Sequence, residues 1–428
     1  MRITSIAIAA GLLVAAGAGA TWYTKEQYKQ SIDDQIARFR PVYDDIGMTI
    51  GRDITQQNFF SFTDKVTFTV TQAMIDQIDP EFILDAPVSV SITNQCDLMP
   101  LFITCGSEFT MGDDPVSLAV KDKLDGFSYT MASTINALTG TMTSKFTSAP
   151  FTLNFEKGSV ELKPMTLTSN TDLSDASGTF DGLWDGVTIN DHIDQVTMTV
   201  DAVTVFGDVS YLEGLLYTGE TGLNIKQIQV DAPASGNHIN IEDMQVSTDT
   251  WQREDGRFGL RYRIKSAHFN AEGPSPATLS DTELTFSFEG MGKDAMTYLS
   301  GFKSTPDMED PQAIASTIAM LGKNPLVMSV EKMAFVYDGA KVNADARFDI
   351  DSFDMAAIEQ GTISEKIRGI INIALDENAP EAMPALAPML EQYVELEMVE
   401  MGEAGNYKTT IEVADRQILA NGKLVKQI

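Results

Sequence analysis

Several stretches of the chain alternate apolar residues with Thr, Ser or acidic residues. The clearest are VTFTV (66–70), VSVSI (88–92), VTMTVDAVTVF (196–206), INIEDMQV (239–246) and LTFSF (284–288). A period of two is typical of strands that have one face buried and the other in water. Turn-rich clusters such as SDASGTFDG separate these runs at the spacing of an antiparallel meander. The pattern predicts a mainly β (α+β) fold of long, twisted antiparallel sheets.

The pattern changes in the last third of the chain. Residues 291–302 and 310–322 have the spacing of helices, and the second begins with Pro311 and ends at Gly322. A strand pair follows, joined by an Asp338-Gly339 turn. We therefore expect a β-rich region over residues 43–290 and an α+β region over residues 291–428, with the helices of the body concentrated in the second.

The N-terminus, MRITSIAIAAGLLVAAGAGATWYTK, has one basic residue followed by an uncharged run to Thr24. A run of about 20 such residues is long enough to span a bilayer, and Trp22 and Tyr23 have the character of an interfacial belt. We predict a signal anchor over residues 1–24 that places the chain in the inner membrane with its bulk in the periplasm. The alternative is a cleaved signal peptide and a protein secreted to the periplasm.

Residues 25–42 continue this segment with apolar residues at helical spacing and Pro41 near the end. They predict an amphipathic stalk helix. Its apolar side either binds a partner or packs against the chain's own domain.

Both cysteines lie in NQCDLMPLFITCGSEF (94–109), on two predicted strands joined by a short turn. Paired antiparallel strands can bring Cys96 and Cys105 within bridging distance, and an exported chain meets an oxidising compartment. We predict a Cys96–Cys105 disulfide, with two buried free thiols as the alternative.

The formal net charge is −31, which argues against nucleic acid as a partner, since phosphates require a basic surface. One stretch opposes this charge. In RFGLRYRIKSAHF, alternation places Arg261, Arg263 and Lys265 on one face, with Arg257 nearby. This cationic strip either binds an anionic ligand or pairs with acidic residues on neighbouring strands.

We find no motif of a known catalytic class. The histidines, His192, His238 and His268, are far apart in sequence and have no partner motif. We therefore predict no catalytic residue, no metal ligand and no cofactor.

Three stretches, AAGAGATWYT at the N-terminus, NFFSFTDKVTFTV (58–70) and IEVADRQILANGKLV (411–425), resemble the YdgA-like family of Gram-negative envelope proteins. The resemblance implies a short membrane segment, a β-rich periplasmic body and a helical insertion before the last strands. It implies no activity and no active-site residues.

Three classes of function remain. The first is a non-catalytic envelope protein that binds a protein partner or an apolar ligand such as a lipid, because amphipathic sheets can curl around an apolar groove. The alternatives are a periplasmic hydrolase of unrecognised type and a purely structural scaffold.

Overall fold

The computed structural model describes residues 2–78, 83–213, 216–273, 276–300 and 311–427, without the side chains of residues 2–19, 42, 45, 56, 77–78, 299–300, 311–313 and 316. The first part of the chain contains helices and strands in alternation: α1 Arg2–Asp45, β1 Met48–Asn58, β2 Ser61–Val70, α2 Gln72–Ile78, β3 Val88–Met99, β4 Phe102–Met111, α3 Pro115–Lys123, β5 Tyr129–Asn136 and β6 Thr141–Ser148.

The middle of the chain contains only strands among its described elements: β7 Phe151–Phe155, β8 Gly158–Leu162, β9 Met165–Asp172, β10 Gly178–Asp191, β11 Val196–Glu213, β12 Leu216–Ala232, β13 Asn237–Gln252, β14 Phe258–Glu272 and β15 Ala277–Met291. The last part mixes both: α4 Lys293–Ser300, α5 Pro311–Leu321, β16 Leu326–Tyr337, β17 Ala340–Ile350, α6 Met355–Glu359, a 3-10 turn Ile363–Lys366, β18 Ile367–Leu375, α7 Ala379–Ala382, α8 Ala387–Glu395, β19 Glu400–Met401, β20 Tyr407–Ala414, β21 Gln417–Ala420 and β22 Lys423–Gln427.

All the strands in the described residues belong to one open antiparallel sheet. Its ladder runs β1 to β6, then β9 to β18 in chain order, then β20, β21 and β22. The β7–β8 hairpin pairs with the second half of β10, and β19 pairs with β20. The predicted mainly β, antiparallel class is confirmed.

The helices are not confined to the last third, which corrects one expectation. Helix α1 continues past Pro41 to Asp45, and α2 and α3 connect strands β2 to β5. The expected stalk packs against its own domain: Tyr28, Ile32 and their neighbours join a core cluster with residues of β2 to β5. Helix packing on the sheet buries an apolar stripe that alone would face water.

The sheet curls around α1. Tyr43 contacts Phe68 of β2, with ring centres 6.3 Å apart, and Phe39 contacts Tyr211 of β11 at 5.3 Å. Seven strand spacings separate β2 from β11 in the ladder. A flat sheet would hold them about 34 Å apart, whereas a helix with its side chains is about 10–12 Å wide. Only a curled sheet brings both strands to one helix.

A break in the alternation crosses the middle strands. On β11 the apolar residues are Met198 and Val200 before Ala202, and Val203 and Val205 after it. Ala202 has φ +44°, and β13 and β15 contain Asp243 (φ +49°) and Asp281 (φ +50°). A left-handed residue inside a strand rotates the chain about its axis. It shifts the facing of the residues that follow, while the register on β11 stays the same on both sides of Ala202. The apolar side chains therefore stay on one face on both sides of the break.

Candidate functional site

One face of the sheet is apolar across many strands. Residues directly opposite one another in a ladder lie on the same face, so the face can be followed through the register. We call the following residues the apolar row: Met131, Phe146, Leu167, Gly182, Val205, Leu223, Val246, Ile264, Leu284 and Met333. The row crosses ten strands, β5 to β16 without β7 and β8. Met333, at its far end, is exposed, and the other residues of the row are partly buried.

The other face of the same strands is polar. Asn224 donates to Thr204 Oγ1 at 3.2 Å, and Gln227 donates to Asn240 Oδ1 at 2.9 Å. Glu283 accepts from Lys332 Nζ at 2.6 Å and lies 3.2 Å from Lys265 Nζ. The sheet therefore has one hydrated face and one face that suits an apolar ligand.

Helix α1 lies on the apolar face at the N-terminal end of the sheet. A cavity of about 270 Å³ remains between the helix and strands β1 to β6. Its walls are mainly apolar: Ile32, Ile36 and Phe39 of the helix; Val66, Phe68, Ile92, Met131, Ile135 and Met142 of the strands. The cavity contains Met131, the first residue of the apolar row, so cavity and row form one surface.

A buried polar cluster fixes α1 in this position. Tyr28 of the helix donates to Asp64 Oδ2 at 2.6 Å, and Arg52 donates to both carboxylate oxygens of Asp64 at 2.9 and 2.7 Å. Arg52 also pairs with Asp33 of the helix at 2.8 Å. Asp64 has no exposed surface. Burial, and then the Asp64 carboxylate, raise the pKa of Tyr28 well above its ordinary value.

This cluster was not predicted from the sequence. Its signal is Asp64 itself, which follows Phe62 and precedes Val66 and Phe68 at the apolar phase of β2. A charged residue at a position that alternation assigns to the buried face needs a buried partner.

Other helices cover the apolar face further along the sheet. Met296 of α4 packs in a core cluster with Leu260 and Leu216. Beyond Met333 the register continues to Ala344 and Ile373, and there α8 packs over β18, leaving a cleft of about 180 Å³.

The predicted Cys96–Cys105 disulfide is present. The two residues are direct register partners on β3 and β4, their Cα atoms are 4.1 Å apart, and the sulfurs are bonded. Both half-cystines are buried beneath α1, and Cys105 lines the cavity.

Of the cationic strip, Arg261, Arg263 and Lys265 lie on the polar face of β14. Arg261 Nε donates to Glu331 Oε1 at 3.0 Å, and Lys265 pairs with Glu283. Arg263 lies opposite Ser247 and Thr285. Arg257 is in the turn before β14, where it binds Asp255 at 2.6 Å. Carboxylates already contact three of the four cations, and an anionic ligand for the strip stays a prediction.

The three histidines lie at separate places. His238 contacts Asp231 at 2.5 Å. The backbone N–H of His192 donates to the Lys157 carbonyl, and His268 lies opposite Glu242. Trp22 and Tyr23, predicted at a membrane interface, are 62% and 45% exposed.

The predicted anchor falls mostly outside the described side chains, which begin at Ala20. Among the helical residues that could be assessed, none forms a stretch with both the length and the hydropathy of a membrane span.

Comparison with known proteins identifies a family for this chain. No curated protein and no solved structure gives a significant match. A family model described as a bacterial protein of unknown function, DUF945, matches residues 3–313, which include α1, the curled part of the sheet and the apolar row up to Leu284. The chain belongs to the DUF945 family of bacterial proteins.

Proposed function

We propose that this protein is a non-catalytic envelope protein that binds the acyl chains of lipids on the apolar face of its sheet. The observation that carries the proposal is the apolar row. Its side chains are only partly buried, and leaving so much apolar surface in contact with water costs roughly 25 cal/mol per Å². A bound acyl chain removes that cost.

The paired backbone of the sheet favours an apolar chain over an added protein strand as the ligand. The backbone groups of the strands are already paired within the ladder, so a ligand on the face makes contacts with side chains alone. Among the described residues, Gln35 lines the cavity under α1 with a buried amide nitrogen that has no hydrogen-bond partner. Such a donor suits a carbonyl oxygen of a lipid ester.

The compartment we propose is the periplasm, with residues 1–24 as an inner-membrane anchor. The disulfide supports an oxidising compartment, and the resemblance to YdgA-like envelope proteins agrees with it. A hydrolase is less well supported. Asp64, the buried carboxylate of the cavity, is already bonded to Tyr28 and Arg52 and so serves to hold α1.

Native mass spectrometry of full-length protein extracted gently from membranes tests the proposal. We expect phospholipid masses on the wild-type chain and their loss in Leu223→Asp, which places a charge in the middle of the apolar row. Asn224→Asp is the matched control, because it adds the same charge one residue away on the polar face. Equal lipid occupancy in both variants, or a wild-type chain free of lipid, would contradict the proposal.

A further inference from the structure

A second apolar surface lies at one end of the sheet, apart from the apolar face. It consists of the tips of three hairpins and two exposed residues of helix α1 beside them. The residues of this tip surface are Trp22, Tyr23, Phe59, Phe60, Met99, Phe102 and Leu138, which are between 42% and 69% exposed.

Hydrogen bonds join these parts into one surface. Leu98 N–H donates to the Phe60 carbonyl, which ties the β1–β2 tip to β3. Ala137 N–H donates to the Leu101 carbonyl, which ties the β3–β4 tip to the β5–β6 tip. Leu101 N–H in turn donates to Thr24 Oγ1 of α1 at 3.0 Å. The exposed aromatic side chains are therefore held at one end of the sheet.

The tip surface lacks charge in a chain that has 61 acidic residues. No charged residue occurs in the segments 54–63, 98–107 or 126–144, which form the three tips. The connection at the opposite end of β4, residues 112–125, has six: Asp113, Asp114, Lys121, Asp122, Lys123 and Asp125. An acidic body is repelled by anionic lipid headgroups, and the uncharged end meets the least repulsion.

We propose that the tip surface docks on a lipid bilayer, with its aromatic rings at the level of the headgroups. Aromatic side chains prefer this interface because one part of the ring is apolar and the other polar. Within helix α1, Trp22 and Tyr23 follow residues 3–20, which contain no charge. The tips thus surround the point where an apolar segment enters the body. The docking does not depend on lipid binding to the apolar face.

Quenching of tryptophan fluorescence by brominated lipid tests the docking. The parent is the full-length chain with Trp22→Phe, reconstituted in vesicles of phosphatidylethanolamine and phosphatidylglycerol, with or without dibrominated phosphatidylcholine. Phe60→Trp reports on the tips. Leu118→Trp is the matched control, since Leu118 is 49% exposed on α3 at the opposite end. The signal is the fluorescence of each variant minus that of the parent.

We expect brominated lipid to remove about half of the added fluorescence of Phe60→Trp, because its ring lies at the headgroups, and little of that of Leu118→Trp. Equal quenching of the two variants would overturn the proposal. Fluorescence of Phe60→Trp that brominated lipid leaves unquenched would also overturn it. Adding Leu223→Asp should leave the quenching unchanged, so that failure of tip docking and failure of lipid binding on the apolar face are told apart.

Discussion

Asp64 is a buried carboxylate on an otherwise apolar face, and its contacts with Tyr28 and Arg52 tie helix α1 to the first hairpin. A buried ion pair contributes less than its Coulomb energy suggests, because both charges leave water. Its value here is specificity of position: α1 can slide along an apolar surface, but it satisfies Asp64 in one register only.

Replacing Asp64 tests this role. Asp64→Asn leaves Arg52 without its buried partner, and we expect the free energy of unfolding to fall by about 3–5 kcal/mol. Asp33→Asn removes the exposed partner of the same arginine and should cost about 1 kcal/mol or less. Urea unfolding followed by circular dichroism measures both. Equal losses would show that the buried pair has no special role.

Tyr28 gives the cluster a dependence on alkaline pH. Its pKa is raised above the usual 10.0 by burial and by Asp64, so above that pH the unfolded chain binds fewer protons than the folded chain. Stability therefore falls as pH rises beyond about 10, by up to about 1.4 kcal/mol per pH unit. Tyr28→Phe should show a shallower fall than wild type in unfolding experiments between pH 9 and about 11. Parallel slopes for wild type and Tyr28→Phe would refute this assignment.

At this scale, local pairing could be predicted and distant pairing could not. Cys96 and Cys105 lie on adjacent strands joined by a short turn, so alternation alone brings them together. The partners of Arg261 are Asp249 and Glu331, on two other strands. Whether they lie beside Arg261 depends on every turn and bulge between these strands.

The break at Ala202, Asp243 and Asp281 lets the long middle strands keep their apolar residues on one face. A single period of two over VTMTVDAVTVF predicts the strand correctly but misses the change of phase at Ala202. The signal was present, because two apolar residues separated by two positions, Val200 and Val203, interrupt a period of two. Without the break, half of each strand would turn its apolar residues to water.

Substitutions at Ala202 test the break. In an ordinary strand Val is favoured over Gly, but at φ +44° a β-branched residue is strained and Gly is not. We expect Ala202→Gly to be at least as stable as wild type and Ala202→Val to lose about 1–2 kcal/mol in urea unfolding. The same two substitutions at Ala374, in the regular part of β18, should show the opposite order of stability. The ordinary order at Ala202 would mean that the strand is unbroken there.

The whole molecule is one curled sheet with helices lying on its apolar face, α1 at one end and α8 towards the other. Alternation predicted the strand-rich class, and the packing of α1 against its own domain was one of two interpretations of its apolar stripe. The curl could not be predicted from the sequence, because it depends on the contact of one helix with strands as far apart as β2 and β11. Alternation reports which face is apolar, but not how strongly the sheet bends.

The most direct test of the central claim is photo-crosslinking in living cells, with a photoreactive residue at Leu223 on the apolar face or at Asn224 on the polar face. After irradiation, the mass of the purified full-length protein shows what each position contacts. The account predicts a phospholipid adduct at position 223 and none at position 224. Adducts at both positions, or a protein adduct in place of lipid at position 223, would contradict it.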